Sequence, residues 1–191
     1  MSIEIAAPRG AEITVPAGTW NVDPAHSSVE FQVRNMGIVT VKGFFGDFEG
    51  ALELAEDLES SRAAGTVKAA SVQTRSEKRD DHLRGPDFFD VESHPEITFG
   101  STRVDRTGDQ VFRVTGDLTI KGVTREISLD ARLEGTTKDP WGGERVGVSA
   151  TGEIDRRDFG LEWDVRTPGD IPLASHKVKI ELQIGAIRAE S

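Results

Sequence analysis

Two stretches of the chain concentrate side chains that could do chemistry. Asp23-Pro-Ala-His26-Ser27 holds the acid, base and hydroxyl types of a nucleophilic triad. Those three groups must converge in space, and neighbours in sequence rarely manage it; nor does a Gly-x-Ser-x-Gly elbow occur to present the hydroxyl. The stretch reads better as a turn closed by the Asp and Ser side chains ahead of a strand. Arg79-Asp-Asp-His82-Leu-Arg84 puts several charges into one short segment, with His94 a loop away. A metal-binding helix carries two histidines four apart, and here His82 stands alone. The plain reading is an ion-paired helical cap; the functional one is an anion site on Arg79 and Arg84, whose forked donors match phosphate oxygens. The histidines at 26, 82, 94 and 176 are scattered and the chain has no cysteine, so no metal site, disulfide, thiolate nucleophile or cofactor is expected.

The elements that must position these groups are strands. Ser28–Arg34 sets Val29, Phe31 and Val33 against Glu30, Gln32 and Arg34 with period two. Gly43–Leu54 reads as one long strand bent by glycines, and Thr66–Gln73 as a shorter one. Gln110–Ile120 and Thr124–Gly135 alternate on either side of Lys121-Gly122, a strong hairpin signal. Arg145–Ile154 and Lys177–Ile187 follow the same rule beyond an Asp139–Gly143 turn. Roughly eight strands with turns between them predict an antiparallel sandwich or closed barrel. Ser76–Arg84 reads as a short helix stopped by Gly85-Pro86, and Arg156–Phe159 as a single helical turn. Trp20, Trp141 and Trp163 sit near turns or strand starts and read as plugs of barrel ends. Residues 1–17 form a loose arm with room for a short strand at Glu12–Val15, and 18–191 form the barrel domain.

The inward column predicted from this alternation contains Phe31, Val33, Phe112, Val114, Leu118, Ile127, Leu129, Val148, Ile180 and Leu182. It is mixed with Gly116, Ala131, Ala150 and Gly152. A barrel of eight strands is just wide enough to be filled by side chains or to hold one small ligand. The small residues either kink strands for closure or leave an apolar cavity, and the sequence leaves both open. The net charge of −10 argues against nucleic acid and anionic lipid headgroups. No run approaches the ~18 apolar residues of a membrane-spanning helix, and the N-terminus has no secretory pattern, so the chain reads as cytoplasmic.

In order, Trp20-Asn-Val-Asp23-Pro-Ala-His26-Ser27, Val41-Lys-Gly43-Phe-Phe-Gly-Asp-Phe48, Arg79–Asp90 followed by His94-Pro95, Gly116–Thr124 and Asp155–Leu161 resemble the YceI-like family over about residues 18–187. The resemblance implies an all-β, eight-stranded antiparallel, lipocalin-like barrel with a short helical cap at Asp81–Phe89. It further implies binding of an isoprenoid lipid, such as a polyprenyl diphosphate or isoprenoid quinone, in an apolar tunnel. It implies no catalytic residue, and homodimers are common in the family. Any anionic headgroup is then expected near Arg79 or Arg84 with His82 as a hydrogen-bond partner, Arg75 and Arg157 flanking the same end. The rival expectation is that these arginines only pair with Asp80, Asp81 and Asp87. The leading function is a non-enzymatic lipid carrier or store. The alternatives are a small enzyme acting on a lipid diphosphate or ester and a packed stress-related structural module.

Overall fold

The computed structural model describes residues 13–190. Eleven strands run through them: β1 (Gly18–Val22), β2 (Ser28–Asn35), β3 (Val39–Phe45), β4 (Phe48–Leu54), β5 (Arg62–Lys68), β6 (Val72–Gln73), β7 (Glu96–Gly108), β8 (Val111–Ile120), β9 (Val123–Lys138), β10 (Glu144–Asp155) and β11 (Ala174–Arg188). One α-helix, α1 (Glu77–Arg84), lies between β6 and β7. Of the stretch expected to hold a short strand, Glu12 lies outside the described residues, and Ile13–Val15 is not a strand.

Antiparallel pairing runs β1-β4-β5-β7-β8-β9-β10-β11, and β11 returns to pair with β1 through Trp20↔Arg188 and Val22↔Ala186. The sheet therefore closes into an eight-stranded barrel. Two of its staves are broken. The Pro24–His26 turn divides β1 from β2, so β1 meets the C-terminal half of β11 and β2 its N-terminal half. The stretch expected as one strand over 43–54 breaks at Gly46-Asp47 because its two halves need different partners. There β3 pairs with β2 and β6, whereas β4 pairs with β1 and β5. Gly46 N–H donates to Ser71 O and Asp47 O accepts from Lys68 N–H, which fixes the switch. At this end β6 pairs with the end of β3, and the segment after it is tied back to β6 through Arg84.

That segment is α1. Ser76 caps it by accepting from Arg79 N–H, and the chain turns off at Gly85. Phe88 is then buried, while Phe89 meets the Phe45 ring edge-on at 5.7 Å. The Lys121-Gly122 hairpin has φ of +51° and +75°, the all-positive geometry whose twist matches that of the flanking strands. β7 carries no clear alternation in sequence because its register slips twice, between Ser101 and Arg103 and between Arg106 and Gly108.

The two ends of the barrel differ. At one, Trp20 is fully buried among Val15, Phe112, Leu133, Val146 and Ala186, and its Nε1–H donates to Pro16 O at 3.2 Å. This end is plugged. Phe112 belongs to the plug because it is the first inward residue of β8, and the Arg106 guanidinium lies 4.8 Å over its ring. Trp141, expected to plug an end, stands 87% exposed at the β9–β10 turn. There Asp139 closes the loop on Trp141 N–H, Gly143 N–H and Arg145, leaving the indole outside.

Candidate functional site

Between the plug and α1 the barrel encloses an apolar cavity of about 490 Å³. Nine of the ten residues expected to face inward line it: Phe31, Val33, Val114, Leu118, Ile127, Leu129, Val148, Ile180 and Leu182. Phe112 is the exception, for the reason just given. Several of these side chains are only half-buried although they point inward, because what they face is the cavity.

The small residues sit where large neighbours lie flat. A Cβ on Gly43 would stand 2.2 Å from the Phe31 ring, and one on Gly116 2.6 Å from that of Phe99. Glycine lets these aromatics lie along the wall, leaving the axis of the barrel open. Ala131 and Ala150 pair across β9 and β10 at mid-height and line the same space. Gly43 and Gly116 thus accommodate neighbouring rings and Gly152 the Leu129 side chain, while the alanines help leave volume.

The polar side chains gather at the α1 end. Residues three and four apart on a helix share a face, so Arg79, His82 and Leu83 all border the cavity. Arg79 Nε–H donates to Thr74 Oγ1 at 2.7 Å and its Nη2–H to Thr74 O at 2.6 Å. Thr74 Oγ1–H in turn donates to the buried Asp80 carboxylate at 2.6 Å. Arg79 makes no ion pair among the described residues, so the expected pairing with Asp80 is replaced by this hydroxyl relay. His82 Nε2 is 2.8 Å from Asp87 Oδ2, and its ring stands edge-on to Phe88 and to Trp163 at 5.0 and 5.2 Å.

Arg84 does not border the cavity. Five residues beyond Arg79, it falls on another helix face, where it donates to Ala70 O and Val72 O and pairs with Asp81 at 3.1 Å. Here the rival expectation of a structural arginine describes the geometry. Arg75 lies with Arg84 in a shallow outer groove. Arg157 donates twice to Asp155, whose carboxyl it holds down at about 2.

The cavity has one cation that the sequence reading passed over. Arg156 is buried and borders the cavity, donating to Leu161 O at 2.5 Å, Ser175 O at 3.0 Å and Ala174 O at 3.1 Å. Burial pulls its guanidinium below the usual arginine value, against the opposing fields of Asp164 and Asp155. The signal was available: Arg156 continues the inward series Val146, Val148, Ala150, Gly152, Ile154 by one more step of two.

The triad-like stretch is a turn. Asp23 caps the Pro24–His26 turn, accepts from His26 Nδ1 at 2.7 Å and pairs with Arg145 at 3.0 Å. Its carboxyl is held below the usual range, first by His26 and then by Arg145. Ser27 Oγ is occupied between Asp23 O, Gly185 O and Gly185 N–H, and does not meet the His26 ring. Among the described residues no three His, Cys, Asp or Glu side chains converge as a metal site. None of the described helices is long and apolar enough to cross a membrane.

A closed eight-stranded antiparallel barrel around an apolar cavity, plugged at one end and capped by a short helix at the other, is a lipocalin-like container. The chain belongs to the YceI-like family, whose domain pattern matches residues 20–186. It is 36% identical over 166 residues to a UPF0312 protein of Serratia proteamaculans, covering 86% of this chain and 83% of the relative. Its fold is similar to that of the Campylobacter jejuni YCEI protein, with a TM-score of 0.71 and 31% identity over 80% of this chain and 88% of the other. It is also similar to a polyisoprenoid binding domain from Saccharophagus degradans, with a TM-score of 0.66. At 17% identity over 91% of this chain and all of that domain, the second likeness concerns the fold alone.

Proposed function

We propose that the protein binds a long-chain isoprenoid lipid, as a non-enzymatic carrier or store, with the tail in the barrel and the headgroup at the α1 end. The observation that carries this reading is the cavity of about 490 Å³, walled by aliphatic and aromatic side chains and bordered at one end by Arg79 and His82. Each CH₂ withdrawn from water into such a wall contributes ~0.8 kcal/mol, so a tail alone supplies substantial affinity. Membership of the YceI-like family supports the ligand class that the resemblance implies, and a polyisoprenoid binding domain of S. degradans shares the fold. A polyprenyl diphosphate and an isoprenoid quinone share the tail and differ in the head.

Arg79 is the residue we assign to an anionic head, because it borders the cavity, makes no ion pair among the described residues and is oriented by Thr74. His82 supplies a neighbouring hydrogen-bonding nitrogen. Arg84, tied to backbone carbonyls, is assigned to holding α1 on β6. Affinities for a polyprenyl diphosphate and the matching alcohol, measured in wild type, Arg79→Ala and Arg84→Ala, test the assignment. Arg79→Ala is expected to weaken only the diphosphate, by roughly tenfold or more for a lost charge-assisted contact. Equal losses for both ligands would make Arg79 structural, and failure of wild type to bind either would end the reading.

A further inference from the structure

We infer that the loop tips beside the cavity's polar end form a docking surface for a neutral lipid bilayer, from which the barrel takes up and releases its ligand. This rests on the reading of the cavity as a lipid site. The turn between β2 and β3 displays Ile38 at 71% exposure and Val39 at 54%, with Met36 also exposed. The segment between Leu161 and Ala174 adds exposed Val165 and Ile171.

These two tips form one built surface. Met36 N–H donates to Leu173 O, which also accepts from Asn35 Nδ2, while Leu173 N–H donates to Val165 O. Ile171 Cγ2 would be 3.5 Å from a Cβ on Gly37. The surface also adjoins the cavity wall, through the hydrogen bonds of Met36 and Val165 to the cavity-lining Leu173. Asn35, Val41, Trp163 and Leu173 border the cavity, and Met36, Val39, Val165 and Ile171 each lie within two residues of one of them. An apolar chain leaving the barrel at this end would therefore meet apolar side chains rather than water.

Position and charge select the occupant. The five residues together expose on the order of 450 Å² of largely apolar surface. An apolar patch of this size is within the ~300–600 Å² that a monomer exposes as its largest and often functional patch, and its place beside the mouth of a lipid cavity points to lipid as what covers it. The charges beside the tips are mixed and held within them: Arg166 pairs with Asp164 and Asp170, and Arg34 donates to the neutral Gly37 O and Thr40 Oγ1. The net charge of −10 disfavours approach to anionic lipid. Insertion of apolar tips into a zwitterionic interface remains.

The test is co-sedimentation of the full chain with phosphatidylcholine vesicles, comparing wild type, Ile38→Asp/Ile171→Asp and, at the plugged end, Trp141→Asp. Wild type is expected to partition onto neutral vesicles, insensitively to salt and less well when phosphatidylserine is added. The double variant is expected to lose at least tenfold and Trp141→Asp to match wild type. Polyprenol binding in vesicle-free buffer, measured in parallel, should be the same in all three. Failure of wild type to partition, or retention by the double variant, overturns the inference even where polyprenol binding is intact. So does a wild-type dimer in vesicle-free buffer that the double variant abolishes, since a second copy would then be the occupant. Loss of polyprenol binding in wild type instead strikes the ligand reading.

Discussion

Replacing Ala150 by phenylalanine places a ring at mid-height in the barrel, where Ala150 pairs with Ala131 and borders the cavity. Two consequences follow, and their signs separate a cavity from a packed core. In a packed core the extra atoms force neighbours off their rotamers at ~1–3 kcal/mol. Where a cavity is present, the ring instead buries apolar surface worth ~1.5–3 kcal/mol without displacing its neighbours. The variant should therefore be at least as stable as wild type, and by up to a few degrees more so in thermal unfolding. The ring also displaces about four carbons of a bound tail. At ~0.8 kcal/mol each that is about 3 kcal/mol, or roughly 150-fold in affinity for a chain long enough to reach Ala150. A prenyl chain half as long, seated near α1, should lose far less. Titration of a chain-length series, with unfolding curves on the same preparations, reads both effects. A destabilised variant whose affinity for long chains is unchanged would refute the reasoning.

Other expectations concern the frame around the cavity. Trp20→Ala removes the largest side chain of the plugged end and should cost ~3–5 kcal/mol in denaturant unfolding. Arg156→Met leaves the carbonyls of Leu161, Ala174 and Ser175 without their donor; at ~1–3 kcal/mol for such a loss, the 161–174 segment should gain hydrogen exchange before the rest of the barrel. Asp155, held at about 2 by Arg157, lies below its unfolded value near 4. Its contribution is present above pH ~4 and is lost as pH falls through 2, so Arg157→Gln should flatten the loss of thermal stability across that window.

Much of the barrel is legible in the sequence because a half-buried strand must alternate. β8, β9, β10 and β11 do so cleanly, and Lys121-Gly122 leaves little choice of turn. β7 is not legible, since its two register slips shift the side-chain phase within one strand. The break between β3 and β4 is hidden for another reason: both halves are good strand sequence, and only the change of partner at Gly46-Asp47 divides them. At the polar end, helix geometry decides what residue types cannot. Arg79 and Arg84 look equivalent in composition, yet their five-residue spacing turns one to the cavity and the other to β6. Arg156 escaped notice because it follows the last obvious strand residue, although it keeps the strand's inward phase.

An isoprenoid lipid held in the cavity would travel with the protein through purification. Native mass spectrometry of the protein as purified, followed by organic extraction and fragmentation of whatever is released, tests this most directly. The expected result is an added mass on the folded barrel that resolves into a polyprenyl chain, or, for protein stripped of lipid, a one-to-one adduct with added polyprenol or quinone. A barrel that repeatedly carries no lipid and takes up neither compound would contradict it.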